Sequence, residues 1–238
     1  MKHYVGVEQK TEQKTLRFYV NSDKPREGYE EYDKGEYGIE YRKYFNKGIY
    51  GYLKGVQFRE TKFGNQVVVV LTNDDDVYYI QVKLSNSKGD NASEVGFSLV
   101  SHIPNMAVGT GYRLYPYYMA KGDVVDGEEL KYDNIGISVK EADVENQEVT
   151  TKVQKAYTYA KRGEQGTDTK LPPLEFKERR GKFTLDLASA QKRLEWLEDK
   201  VIELAKEFGY NNDTQTREEP PQKSVEVSAD DMDDDLPF

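Results

Sequence analysis

From residue 48 onward, apolar and polar residues alternate in short runs broken by glycine, asparagine and aspartate, as in strands joined by tight turns. Residues 48–59 (GIYGYLKGVQFR) are rich in aromatic and branched side chains, with Gly51 and Gly55 suited to bulges in a curved strand. A turn over 62–65 leads into 66–72, a near-continuous apolar run. A second turn, 73–76, precedes a third strand over 77–84. These three strands form a meander. A Gly/Asn/Ser-rich connector over 85–91 leads to a short helix over 92–103, ended by Pro104. Residues 112–119 and 135–139 supply two more strands, separated by a polar loop with Lys121, Asp126 and Glu129.

The order of three strands, a helix and two strands is that of a five-stranded OB-fold barrel, so the expected fold is mainly β. Residues 15–20 and 36–41 are two further strand-like runs that extend the barrel or cover an edge. Residues 149–159 alternate like a strand, with a helix as the alternative, and 163–170 (GEQGTDTK) read as an exposed loop. The clearest helix spans 186–208. There Leu187, Ala190, Leu194, Leu197, Val201, Leu204 and Phe208 recur at spacings of three and four before Gly209. This seam either lies on the barrel or joins copies of the chain into a homo-oligomer. The expected layout is a barrel with an N-terminal extension (1–150), a basic connector (151–183), the helix (184–210) and a tail (211–238).

Composition narrows the chemistry. Among 238 residues there is no cysteine and there are two histidines, His3 and His102, which excludes disulfides, zinc–thiolate sites and a cysteine nucleophile. No P-loop, nucleophile elbow or HExxH helix occurs. The aspartates at 74–76 read as a hairpin turn rather than a metal site, so neither catalysis nor a cofactor is expected. No apolar run suits a signal peptide or a membrane span, and the expected location is the cytoplasm. The net charge of −9 is unevenly placed. Residues 151–183 hold nine basic and four acidic side chains, whereas 211–238 hold two and nine. The acidic stretch has little to bury and is expected to be disordered.

That tail ends in Asp233-Asp234-Asp235-Leu236-Pro237-Phe238. A terminal ring with its carboxylate behind a run of aspartates makes a small amphipathic handle, the ring for an apolar pocket and the acids for a basic rim. The ending resembles the C-terminal tip of bacterial and phage single-stranded DNA-binding proteins, with leucine where isoleucine is commoner. The resemblance covers the last few residues only. It implies a protein that coats single-stranded DNA in replication, recombination and repair, and whose tip docks partner enzymes. The body departs from ordinary bacterial members, which points to a phage or plasmid origin.

Sequence-independent binding of a single strand needs aromatic faces for the bases and cations for the phosphates. Strand parity nominates Tyr50, Tyr52 and Lys54 in the first strand, and Phe58, Arg59, Lys62 and Phe63 around the first turn. It adds Tyr79 and Lys83 in the third strand, and Arg113, Tyr115 and Tyr117 in the fourth. Each bulge flips the parity beyond it. The alternative is a protein-interaction adaptor or recombination accessory protein that binds DNA only weakly, told apart by salt-sensitive binding of bare oligonucleotides.

Overall fold

The branched and aromatic runs of the chain pair into one long antiparallel-rich sheet. The computed structural model describes residues 1–74, 76–125 and 127–210; the tail and its tip, 211–238, lie outside the described residues. Four strands open the chain: β1 (Lys2–Lys10), β2 (Thr15–Ser22), β3 (Glu30–Asp33) and β4 (Ile39–Tyr44). The meander follows as β5 (Ile49–Arg59), β6 (Gln66–Asn73) and β7 (Asp76–Lys83). Helix α1 (Glu94–Val100) leads to β8 (Gly111–Met119), a two-rung ribbon of β9 (Val124–Val125) and β10 (Glu128–Glu129), then β11 (Asn134–Asp143) and β12 (Glu148–Lys152). Next come β13 (Thr158–Tyr159) and β14 (Lys170–Leu171), the hairpin of β15 (Phe176–Arg179) and β16 (Lys182–Leu185), and helix α2 (Leu187–Glu207). The molecule is mainly β with a long C-terminal helix.

Ten strands form a single sheet in the order β12-β11-β8-β5-β6-β7-β1-β2-β4-β3. Within it, β8-β5-β6-β7 is a Greek key, the strand after the helix returning beside the first of the meander. The closed five-stranded barrel expected from the strand order is not formed among the described residues. Two other long-range contacts stand where the closing pair would be. On one side β1, a strand absent from the sequence-based expectation, pairs in parallel with β7 through Lys2↔Val77 to Val5↔Ile80. On the other side α1 covers the edge of β11, where Ser98 Oγ accepts from the Ile137 N–H (3.2 Å) and donates to the Ile137 carbonyl (3.3 Å). These contacts occupy the backbone of β7 and of Ile137 that a closing strand pair would otherwise use.

Helix α1 begins at Ser93, whose Oγ accepts from the Gly96 N–H at 3.2 Å. A Cβ at Gly96 would lie 2.7 Å from the Lys83 carbonyl, so only glycine lets the helix lie directly on the end of β7. The seam of α2 does not stay free. Leu194, Leu197, Val201 and Leu204 join Leu53, Val69, Ile80, Leu114 and Ile137 in one core, whereas Leu187 is exposed. At about 2 kcal/mol per buried aliphatic side chain, packing against the sheet accounts for the seam within one chain. No helix among the described residues is long and apolar enough to cross a membrane.

The buried His102 follows α1, with Nδ1 2.9 Å from the Val153 carbonyl. Burial, reinforced by the charge of Lys155, pushes its pKa down to about 4. The folded state therefore holds the neutral ring, while an unfolded chain takes up a proton near pH 6.5. Stability is then fully present above about pH 6.5 and declines as pH falls towards the folded value, by about 2 kcal/mol at about pH 5. Urea unfolding across this range should show that loss in the native protein and a flatter profile in His102→Asn, which keeps a donor for the Val153 carbonyl.

Candidate nucleic-acid interface

The aromatic and basic residues singled out above lie on two faces of the sheet, and β5 explains how they divide. Its register against β6 shifts between Leu53 and Gly55, so the bulge is at Lys54, while Gly51 pairs regularly with Tyr112. Before the bulge Ile49, Gly51 and Leu53 face the core, leaving Tyr50 and Tyr52 on the outer face. After it, Phe58 pairs with the fully buried Val67 and packs against the core. Phe58 is thus turned to the core side of the sheet, because one extra residue reverses the parity. Lys54, on the bulge itself, is exposed.

Strand β8 brings the best-formed group together. Tyr112, Leu114 and Pro116 are buried, which turns Arg113, Tyr115 and Tyr117 outward. Tyr50 stands directly across from Arg113, Lys140 of β11 flanks Arg113 on its other side, and Ser138 faces Tyr115. Arg113 Nε donates to the Lys47 carbonyl at 2.7 Å, which fixes the side chain across the sheet. Its guanidinium lies 4.7 Å from the Tyr115 ring centroid and 5.6 Å from that of Tyr50. The result is a cation held between two aromatic rings, with Tyr115 37% exposed. Tyr52 continues the row beside Gly111, and the Tyr117 hydroxyl reaches Asn134 Oδ1 at 3.4 Å.

Beyond Tyr117, the sheet curls until β2 approaches β8, leaving a cleft of about 280 Å³ lined by Lys14, Arg17, Phe45, Tyr115, Tyr117 and Tyr118. Lys14, Arg17 and Phe45 were missed from sequence because nothing in the spacing of β2 and β8, about a hundred residues apart, signals that they meet. The Arg17 guanidinium stacks on Tyr44 at 3.9 Å and bonds Glu8 at 3.2 Å. It belongs to a charge cluster centred on buried Arg42, which binds Glu8 and Glu40 at 2.6 Å each. Lys34 also pairs with Glu40. Burial alone would raise the Glu40 pKa, but the hydrogen bonds from Lys34 and Arg42 hold it below the usual carboxylate range.

The remaining nominated residues lie elsewhere on the sheet. Arg59 and Lys83 flank Gln66 in one cross-strand row at the far end of β5. Beside them Phe63 is 70% exposed in the β5–β6 turn, with Lys62 Nζ 5.2 Å from its ring. Tyr79 is on the outer face, as its parity predicts, but it is only 2% exposed. Tyr4 stacks on it at 5.2 Å, and Tyr210, the last described residue, packs over Val68, Val70 and Tyr79. The approach is so close that a Cβ at Gly55 would lie 2.3 Å from Tyr210 Cβ. Burial, and then a hydrogen bond with Tyr79, push the Tyr210 phenol up to about 12. Tyr79 is therefore not available as a stacking platform while Tyr210 is in place. The outer face carries an aromatic–basic group at each end and a tyrosine-capped apolar patch between them.

Asp76, at the β6–β7 turn, is also occupied: the N-terminal amine reaches it at 3.3 Å and His3 Nε2 at 3.0 Å, and the His3 hydrogen bond holds its pKa below the usual range. No family model matches this chain, and neither does any curated protein or solved structure.

Proposed function

We propose that this chain is a sequence-independent single-stranded DNA-binding protein that coats exposed strands during replication, recombination and repair. The observation that carries the reading is the Tyr50–Arg113–Tyr115 group on the open outer face. Two rings offer π-faces to unstacked bases, and a guanidinium already fixed between them reaches the phosphates. Lys140 on one side, and Lys14 in the cleft on the other, add cations beside this group. The Greek key with a helix between its third and fourth strands, and β11 laid beside β8, supports an opened version of the OB plan, itself a partly open Greek-key barrel. The acidic tip, residues 233–238, recruits partner enzymes in this reading, its aspartates steering and Phe238 anchoring. Residues 47–150 carry ten basic and fifteen acidic side chains, a balance that argues against a duplex as ligand.

Fluorescence anisotropy of a labelled oligo-dT, beside its duplex counterpart, tests the reading. Binding should be confined to the single strand and weaken with salt at a log–log slope of about −0.7 per phosphate contacted. Absence of binding at low salt, with the tail also removed, would leave the adaptor reading instead.

A further inference from the structure

The β15–β16 hairpin is outside the ten-stranded sheet and forms a two-stranded sheet of its own. Its base is fastened to the start of α2. The Asp186 N–H donates to the Glu175 carbonyl (2.9 Å), the Glu175 N–H donates to Ser189 Oγ (3.0 Å), and Lys177 pairs with Asp186 (2.8 Å). Beyond that anchor little is buried. The register Phe176↔Leu185 and Glu178↔Phe183 puts Phe176 and Phe183 on one face, diagonally adjacent. They are 42% and 63% exposed, and the Arg162 guanidinium lies 6.0 Å from each ring centroid.

The tip is a two-residue turn with both central residues left-handed, Arg180 at φ 51° and Gly181 at φ 73°. Such turns favour asparagine before glycine, and an arginine there carries backbone strain. That strain goes to placing a cation at the outermost point of the arm, next to Lys182. Two solvent-facing rings with cations interleaved repeat, on a separate element, the chemistry of Tyr50, Arg113 and Tyr115. A purely apolar protein partner would have to desolvate Arg162 without neutralising it, whereas a nucleic-acid strand presents a base face and a phosphate together.

We propose that this hairpin is a second, independent contact for single-stranded nucleic acid, Phe176 and Phe183 stacking on a base while Arg162, Arg180 and Lys182 hold the adjoining phosphates. The inference rests on the strand-coating reading and adds to it a length dependence: a short oligonucleotide fills the β5–β8 face alone, and a longer one reaches the arm.

The test measures anisotropy with oligo-dT of about 8 and about 30 nucleotides, one within and one well beyond the roughly 4–16 nucleotides that one OB-type face covers. Phe176→Ala/Phe183→Ala should lose about tenfold or more in affinity for the long strand and bind the short one as the native protein does. Arg180→Gln/Lys182→Gln should show a shallower salt slope, by about 0.7 for each phosphate no longer held, on the long strand alone. Thermal unfolding of both variants should match the native protein, since the altered side chains are exposed. Native affinity of both variants for the long strand, or an equal loss at both lengths, would overturn the proposal. So would undiminished DNA binding with loss of binding to a peptide of residues 225–238, which would make the arm an acidic-peptide dock. If the native protein bound neither length, the strand-coating reading itself would fail, a result distinct from failure of the arm.

Discussion

Replacing Tyr50, Arg113 and Tyr115 together by alanine should weaken binding of single-stranded DNA by about a hundredfold or more, since each stacked base is worth roughly 1–3 kcal/mol. Stability should change little. The three side chains lie on the outer face, and the residues that hold β8 in the core, Tyr112 and Leu114, are untouched. Arg113→Lys separates charge from geometry, because an ammonium keeps the charge but cannot lie as a plate between the rings. That variant should retain the salt slope while losing part of the affinity. Tyr79→Phe serves as the matched control, altering a tyrosine on the same face that Tyr4 and Tyr210 cover. A folded triple variant with native affinity would show that the strand lies elsewhere.

Arg42→Met should cost about 3 kcal/mol of stability at neutral pH, the lower end of the range for removing one partner of a buried ion pair. Arg42 contributes both of its terminal nitrogens, one to Glu8 and one to Glu40, and is itself only 8% exposed. Its guanidinium also lies 3.3 Å from the Tyr32 ring centroid and 4.2 Å from that of Tyr19. The substitution leaves Glu40 buried with Lys34 alone. The sign of the pH effect follows from the depressed pKa of Glu40. Its ion pairing stabilises the native fold above the unfolded carboxylate pKa and is lost as pH falls through the folded one. The gap between variant and native protein should therefore narrow below about pH 4.5. Chemical denaturation of the two proteins at neutral and acid pH measures it, and a gap independent of pH would assign the cost to packing instead.

Much of the site was legible in the alternation of β8. Arg113, Tyr115 and Tyr117 face outward because Tyr112, Leu114 and Pro116 are buried, and a two-residue period needs no tertiary information. The same alternation placed Tyr79 on the outer face correctly, yet carried no sign that Tyr210, more than a hundred residues later, covers it. Phe58 failed for a local reason. The glycines marked β5 as a strand prone to bulge, but the shift fell at Lys54, and its position alone decided which side Phe58 would take.

The sequence by itself determined the element types. The meander of β5, β6 and β7, the strands β8 and β11, and helix α2 all follow from local periodicity and turn residues, because these act over a few positions. It also determined where charge accumulates, since composition needs no coordinates. The tertiary structure decided the closure of the sheet. Strand β1 pairs with β7 and α1 caps β11, and both are contacts between segments far apart in the chain that compete for the same backbone edges. It likewise decided which aromatic residues remain open to a ligand. Burial depends on what folds over a face, and no period along the chain encodes that.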